Sequence, residues 1–241
     1  DVQGFTLAGL PAVVVGSNGH VAWAFTNSYI DSTDWKRVVP CAEGKPATAS
    51  CTPITTHRET IDVAGAAAVT LTVEDTAWGP ILEHEPDGSA LALRWTAHLP
   101  GALNLGLGEF ARAGDLAAAL HAADGAAIPT QNLLVADSTG HIAWRLLGPL
   151  PQREDGCSAQ RLVEGADAAA PLEAGTAPPT TDCRPWTIST AAAPSIANPL
   201  GNRLWTANAR VVGDGKLQRV GDGGYDLGAR AMQIRDGLFA R

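Results

Sequence analysis

A chain of 241 residues with 45% hydrophobic content is long enough to bury a sizeable core as one large domain. Only 17% of its residues are charged and the formal net charge is −8, so no basic stripe is available for phosphates. Nucleic acid and membrane surfaces are therefore not expected partners, and no apolar run approaches the length that spans a bilayer.

The first informative stretch is Leu10 to Asn27, where an apolar run meets Ser17-Asn18-Gly19 and a second apolar run leaves it. Asn-Gly tolerates positive φ, so Val13–Val15 and Val21–Phe25 are predicted to pair as an antiparallel hairpin. Thr26-Asn27 ends the second strand, and Asp31-Ser32-Thr33-Asp34 follows as a polar loop. Alternation over 56–63 and 68–73 predicts a second hairpin turning at Ala64-Gly65. Residues 78–82 and 90–96 predict a third, turning at Pro86-Asp87-Gly88. Between 109 and 123 the composition shifts to Ala and Leu; residues 115–120 are helical in propensity, closed by Gly125 and Pro129. The hairpin device then returns: Gly140-His141-Ile142-Ala143-Trp144 repeats Gly19-His20-Val21-Ala22-Trp23. Residues 152–200 are rich in Pro, Ala, Gly and Thr and read as one loop-rich excursion. A short strand is predicted over 203–207. A final helix is predicted over 226–240, with Asp226 as N-cap and an apolar stripe at Leu227, Ala231, Ile234 and Leu238. The sum is an α+β fold, mostly antiparallel sheet with few helices, in a single partial domain over 1–241. Asp1 opens the sequence and the sole Met is Met232, so a processed or partial piece, incomplete at both ends, is expected.

The four cysteines, Cys41, Cys51, Cys157 and Cys183, fall as two local pairs in loops. Pairing Cys41 with Cys51 and Cys157 with Cys183 would staple each loop, which implies an oxidising compartment. Free thiols and metal binding are the alternatives, although no Cys-x-x-Cys occurs.

Nucleophile elbows, Walker loops and His-Glu-x-x-His are absent from the sequence. Asn208 follows an apolar stretch, and an amide placed there can donate to an oxyanion or simply cap a turn. Arg230 falls on the apolar face of the last predicted helix, where a guanidinium pairs with a carboxylate or lines a site. Asp31 and Asp34, with a backbone carbonyl between them, form either a hard-cation ligand set or a solvated loop.

Leu10–Asn27 followed by Asp31–Asp34 resembles the β-subunit of the penicillin acylase family of N-terminal-nucleophile amidohydrolases. The family pattern there is Pro-Gly-x-x-x-Gly-His-Asn-x-x-x-Ala-Trp-Gly-x-Thr and an Asp-rich loop. Three further segments match in order: Asp137–Trp144 with Gly148–Arg153, Trp205–Arg210, and Gly228–Leu238. The resemblance implies part of an αββα sandwich and hydrolysis of a small N-acyl amide through an acyl-enzyme. It implies an oxyanion hole from the main-chain N–H of Asn27 and the side chain of Asn208, with Arg230 holding the asparagine or a substrate polar group. Val15 would help line the acyl pocket. Asp31, the Thr33 carbonyl, Asp34 and the Pro151 carbonyl would bind a structural Ca²⁺, and no organic cofactor is implied. Other implied partners are an α-subunit and the remainder of the β-subunit, in a periplasmic or secreted protein. The chain departs from the pattern at Ser17, where the family usually has His, and at Ala209, where a second Asn is common. The family's N-terminal Ser nucleophile has no counterpart here, so the chain alone is expected to be inactive. A non-catalytic β-rich binding module built on the same scaffold is the alternative.

Overall fold

The computed structural model describes residues 1–42, 51–154, 157, 162–164, 183–191 and 193–240. The chain divides into two compact units, one of residues 1–32, 99–152 and 187–241, the other of residues 33–98 and 153–186.

The first unit is built on a six-stranded antiparallel sheet. In chain order its strands are β1 (Gln3–Phe5), β2 (Val15–Ser17), β3 (Val21–Asn27), β9 (Gln131–Asp137), β10 (Ile142–Leu147) and β14 (Ser195–Ala197), and they lie side by side in that order. Gly19 at φ 86° and Gly140 at φ 92° close the two Gly-His-x-Ala-Trp turns, as the sequence requires. The register places Trp23, Val135 and Ala143 in one row across the sheet, and Ala24, Leu134 and Trp144 in the next. Successive residues of a strand face opposite sides. The repeated motif therefore sends Trp23 to one face and Trp144 to the other.

The Trp23 face is covered by a 3₁₀ helix (Gly106–Arg112) and α1 (Leu116–Gly125). Val21, Trp23, Phe110, Ala119, Leu133 and Val135 form the core between them. Asp115 caps α1 by accepting from the Ala118 N–H at 2.8 Å. Arg145, nearly buried on the same face, donates to the Leu120 carbonyl and to Asp124 at 2.8 Å, tying β10 to the last turns of α1. Asn18 uses its whole amide: the oxygen accepts from the His20 and Val21 N–H groups, and the nitrogen donates to Ala113 O at 2.7 Å.

The opposite face carries Trp144, Leu146, Leu150, Ile30 and Val220. Near it run β11 (Leu150–Gln152), paired with β13 (Thr187–Ser189), and two helices, α2 (Asp214–Val220) and α3 (Ala229–Phe239). The loop-rich excursion thus contributes short strands on the sheet's periphery. The strand predicted over 203–207 is not formed. Its backbone lies across the face of the sheet instead of along an edge, and the Ala207 carbonyl is taken by the Thr26 hydroxyl. The apolar stripe predicted for the last helix is also corrected. Leu227 precedes α3 and is 91% exposed, and none of the helix's residues is buried.

The second unit holds a four-stranded sheet in the order β12 (Val163–Glu164), β4 (Thr33–Val38), β8 (Ala90–Trp95), β7 (Ile81–His84), and a separate hairpin of β5 (Thr55–Ile61) and β6 (Val69–Asp75). Both predicted disulfides are present, Cys41–Cys51 and Cys157–Cys183. No helix among the described residues is long and apolar enough to cross a membrane.

Candidate active site

Strand β3 ends at Asn27 because its ladder with β9 ends there, opposite Gln131. The segment 206–208 crosses the sheet at this point. The Asn208 side-chain nitrogen donates to the Asn27 carbonyl at 3.1 Å. The Asn208 side-chain oxygen accepts from the Arg230 guanidinium, and the same Arg230 Nη2 donates to Asp226 Oδ2 at 2.9 Å. The Asp226 N–H closes the loop by donating to the Asn208 carbonyl at 3.0 Å. Asp226 is therefore not the N-cap of the last helix. Gly228 occupies that position without a side-chain cap, and the Asp226 carboxylate holds Arg230 instead.

These neighbours determine which end of the Asn208 amide is which. A guanidinium only donates, so the oxygen must face Arg230; a carbonyl only accepts, so the nitrogen must face residue 27. One amide N–H is used on Asn27, and the second has no partner among the described residues. A half-buried N–H₂ seated on the main chain of a strand end has one N–H with which it can donate to a group placed beside it. The three residues expected at an oxyanion hole, Asn27, Asn208 and Arg230, are thus brought together within the first unit.

Beneath Asn27 lies a buried polar cluster that the sequence marks by a single residue. Asn132, fully buried on β9, sits directly across from Thr26. Its nitrogen donates to Thr26 Oγ1 at 3.2 Å and to the Asn27 carbonyl at 3.4 Å, and its oxygen accepts from Trp144 Nε1 at 3.1 Å. Thr26 Oγ1 in turn donates to the Ala207 carbonyl and lies 3.1 Å from Thr206 Oγ1. A polar Asn in an apolar strand, Gln131-Asn132-Leu133-Leu134-Val135, was the available signal.

An apolar cavity of about 520 Å³ opens beside the end of β3, lined by Leu10, Val14, Phe25, Leu107, Ile128 and Gln131 among others. Its wall takes Val14, the immediate neighbour of Val15. Val15 itself begins β2, pairs with Phe5 and is 38% exposed.

The expected calcium ligands divide between the units: Asp31 and Pro151 in the first, Thr33 and Asp34 in the second. None lies in a solvated loop. Asp31 is nearly buried, and its N–H donates to the Val220 carbonyl at 2.9 Å. Pro151 lies in β11 opposite Ile188. Thr33 opens β4, and Asp34, 3% exposed, accepts from Arg153 at 3.0 Å and from Trp186 Nε1. Arg94 joins this second-unit cluster, donating to the Trp78 and Trp186 carbonyls at 2.8 and 2.7 Å; burial holds its pKa below the usual value. Hard oxygens suit Ca²⁺ chemically. A cation at Asp34 would share that carboxylate with a guanidinium. No cluster of three or more His, Cys, Asp or Glu side chains placed to hold a metal occurs among the described residues.

The penicillin amidase family model matches residues 1–241. The chain belongs to the penicillin amidase family. Within that family it is 29% identical over 169 residues to the acyl-homoserine lactone acylase QuiP of Pseudomonas syringae pv. tomato, covering 65% of this chain and 20% of the relative. It is 27% identical over 224 residues to penicillin acylase 2 proenzyme of Pseudomonas sp. strain SE83, covering 89% of this chain and 27% of the relative. Among solved structures, the thermostable penicillin G acylase of Alcaligenes faecalis superposes over 100% of this chain and 42% of its own, with a TM-score of 0.77 at 20% identity. That likeness shows the α+β family fold. The chain spans about a fifth to a quarter of the length of these curated relatives.

Proposed function

We propose that this chain is the oxyanion-binding part of an amide hydrolase that cleaves small N-acyl compounds through an acyl-enzyme. The observation that carries the proposal is the Asn208 amide, oriented by Arg230 and seated on the main chain of Asn27. In such a reaction the carbonyl oxygen of the scissile amide gains negative charge on attack. The spare N–H of Asn208 and the N–H of Asn27 would stabilise it. Arg230 acts by holding the asparagine oxygen, so the amide nitrogen always faces the reaction. The apolar cavity at the end of β3, with Val14 and Phe25 in its wall, is the candidate acyl site; Asn27, Asn208 and Arg230 are not among its lining residues. In this reading no residue of the chain supplies the nucleophile. An N-terminal Ser with its own α-amine as base would come from the remainder of the protein, together with an α-subunit. The relatives' names, one an acyl-homoserine lactone acylase and one a penicillin acylase, support an N-acyl amide as the substrate class. The two disulfides support a periplasmic or secreted setting. A structural Ca²⁺ is also proposed, on the resemblance and on the oxygen chemistry of Asp31.

The test is Asn208→Ala and Arg230→Ala in the full-length protein, assayed on a series of N-acyl-4-nitroanilides. Loss of one oxyanion donor lowers kcat by ~10²–10³ with KM little changed. Unaltered kcat in both variants would overturn the role assignment and leave the binding-module reading.

A further inference from the structure

Asn132 touches no substrate in any arrangement the fold allows, since it is fully buried on β9. Yet it contacts one segment of the candidate oxyanion site directly and the other through Thr26. Its N–H₂ reaches Thr26 Oγ1 and the Asn27 carbonyl, and Thr26 Oγ1 reaches the Ala207 carbonyl, next to Asn208. The indole of Trp144 can only donate, so its Nε1 keeps the Asn132 oxygen on its own side and the N–H₂ on the side of Thr26 and Asn27. The Asn27 carbonyl is thus approached by two amide nitrogens, from Asn132 and from Asn208. Burying an amide in an apolar sheet face is costly unless every polar atom is used. Here every polar atom is used, on residues that set the direction of the Asn27 peptide.

We propose that Asn132, locked by Trp144, is a positioning residue that fixes the Thr26-Asn27 peptide and the Ala207-Asn208 segment relative to each other. The chain of contact runs Trp144, Asn132, Thr26, Ala207, and from there by one peptide to Asn208. A leucine of similar volume would fill the site, but it would free Thr26 and the strand end to shift. A displacement of about an ångström at reacting groups costs ~10²-fold in rate. The proposal rests on the oxyanion reading above.

The experiment is Asn132→Asp and Trp144→Phe in the full-length protein, with Asn208→Ala alongside. Asn132→Asp keeps the acceptor for Trp144 but turns a donor toward Thr26 and Asn27 into an acceptor. Trp144→Phe keeps the ring and removes the lock. The expected result is a fall in kcat of about tenfold to a hundredfold, with KM within about threefold; the melting temperature also falls, because a buried polar atom loses its partner. Affinity for a phosphonate analogue of the tetrahedral intermediate should fall by the same factor, and affinity for the product carboxylic acid should not fall. If folded Asn132→Asp keeps its kcat, or if product affinity falls along with kcat, Asn132 is only a packing residue. Should Asn132→Asp fail to fold, Trp144→Phe decides by the same readings. Asn208→Ala separates the two ideas. Full activity in that variant overturns the function itself, whereas an inactive Asn208→Ala beside an active Asn132→Asp overturns the positioning role alone.

Discussion

At the residue scale, the site depends on amides whose polarity is imposed by neighbours that can only donate or only accept. Arg230 does this for Asn208, and Trp144 does it for Asn132. The sequence showed Asn208 and Arg230 only as ambiguous residues, a turn former and an Arg on an apolar face. The resemblance to a family pattern, not spacing, singled them out. Asn132 was not legible, because a single Asn in an apolar strand carries no periodic signal. The calcium proposal also belongs at this scale. With Ca²⁺ bound to the native protein only, a saturating concentration raises stability, by about 2.7 kcal/mol at a hundred times Kd. Full-length protein should therefore melt higher in Ca²⁺ than in EDTA, and Asp31→Asn should lose that difference. Equal melting temperatures in the two buffers would remove the metal from the account.

At the element scale, most of the sheet was legible. The Asn-Gly and Pro-Asp-Gly turns and the repeated Gly-His-x-Ala-Trp motif located the hairpins, since each needs a residue at positive φ flanked by apolar alternation. Elements held by tertiary contacts were less legible. The segment 203–207 has a strand's composition but finds its partners on a sheet face. Helix α2 is too short for helical periodicity to register. The turn of the β9–β10 hairpin shows how elements are joined. Asp137 accepts from Thr139 Oγ1 at 2.7 Å, from the Thr139 and His141 N–H groups, and from the Leu116 N–H at the start of α1. The Thr139 hydroxyl foremost, with these N–H groups, holds its carboxyl well below the usual carboxylate range. A depressed folded pKa contributes stability that is present above the unfolded value, near 3.8, and is lost as pH falls below it. Asp137→Asn should therefore lower the melting temperature at neutral pH, and the gap from wild type should narrow as the pH drops below that value. A gap that holds constant to acid pH would show that the charge of Asp137 plays no part.

At the scale of the whole molecule, low charge and a net −8 made nucleic acid and membrane surfaces unexpected partners, and the fold class followed from antiparallel hairpins with two helices. The division into two units was not legible, because the second unit is assembled from two distant stretches of chain. A buried pair, Asp34 with Arg153, joins those stretches within that unit. The chemistry proposed for the chain converges on one point in the first unit, where Asn208 meets the main chain of Asn27. It is tested most directly by a crystal structure of the full-length protein with a phosphonate analogue of the tetrahedral intermediate. The anionic oxygen should lie about 2.7–3.1 Å from both Asn208 Nδ2 and the Asn27 nitrogen. An analogue bound with that oxygen elsewhere, and Asn208 still turned wholly to the Asn27 carbonyl, would contradict the account.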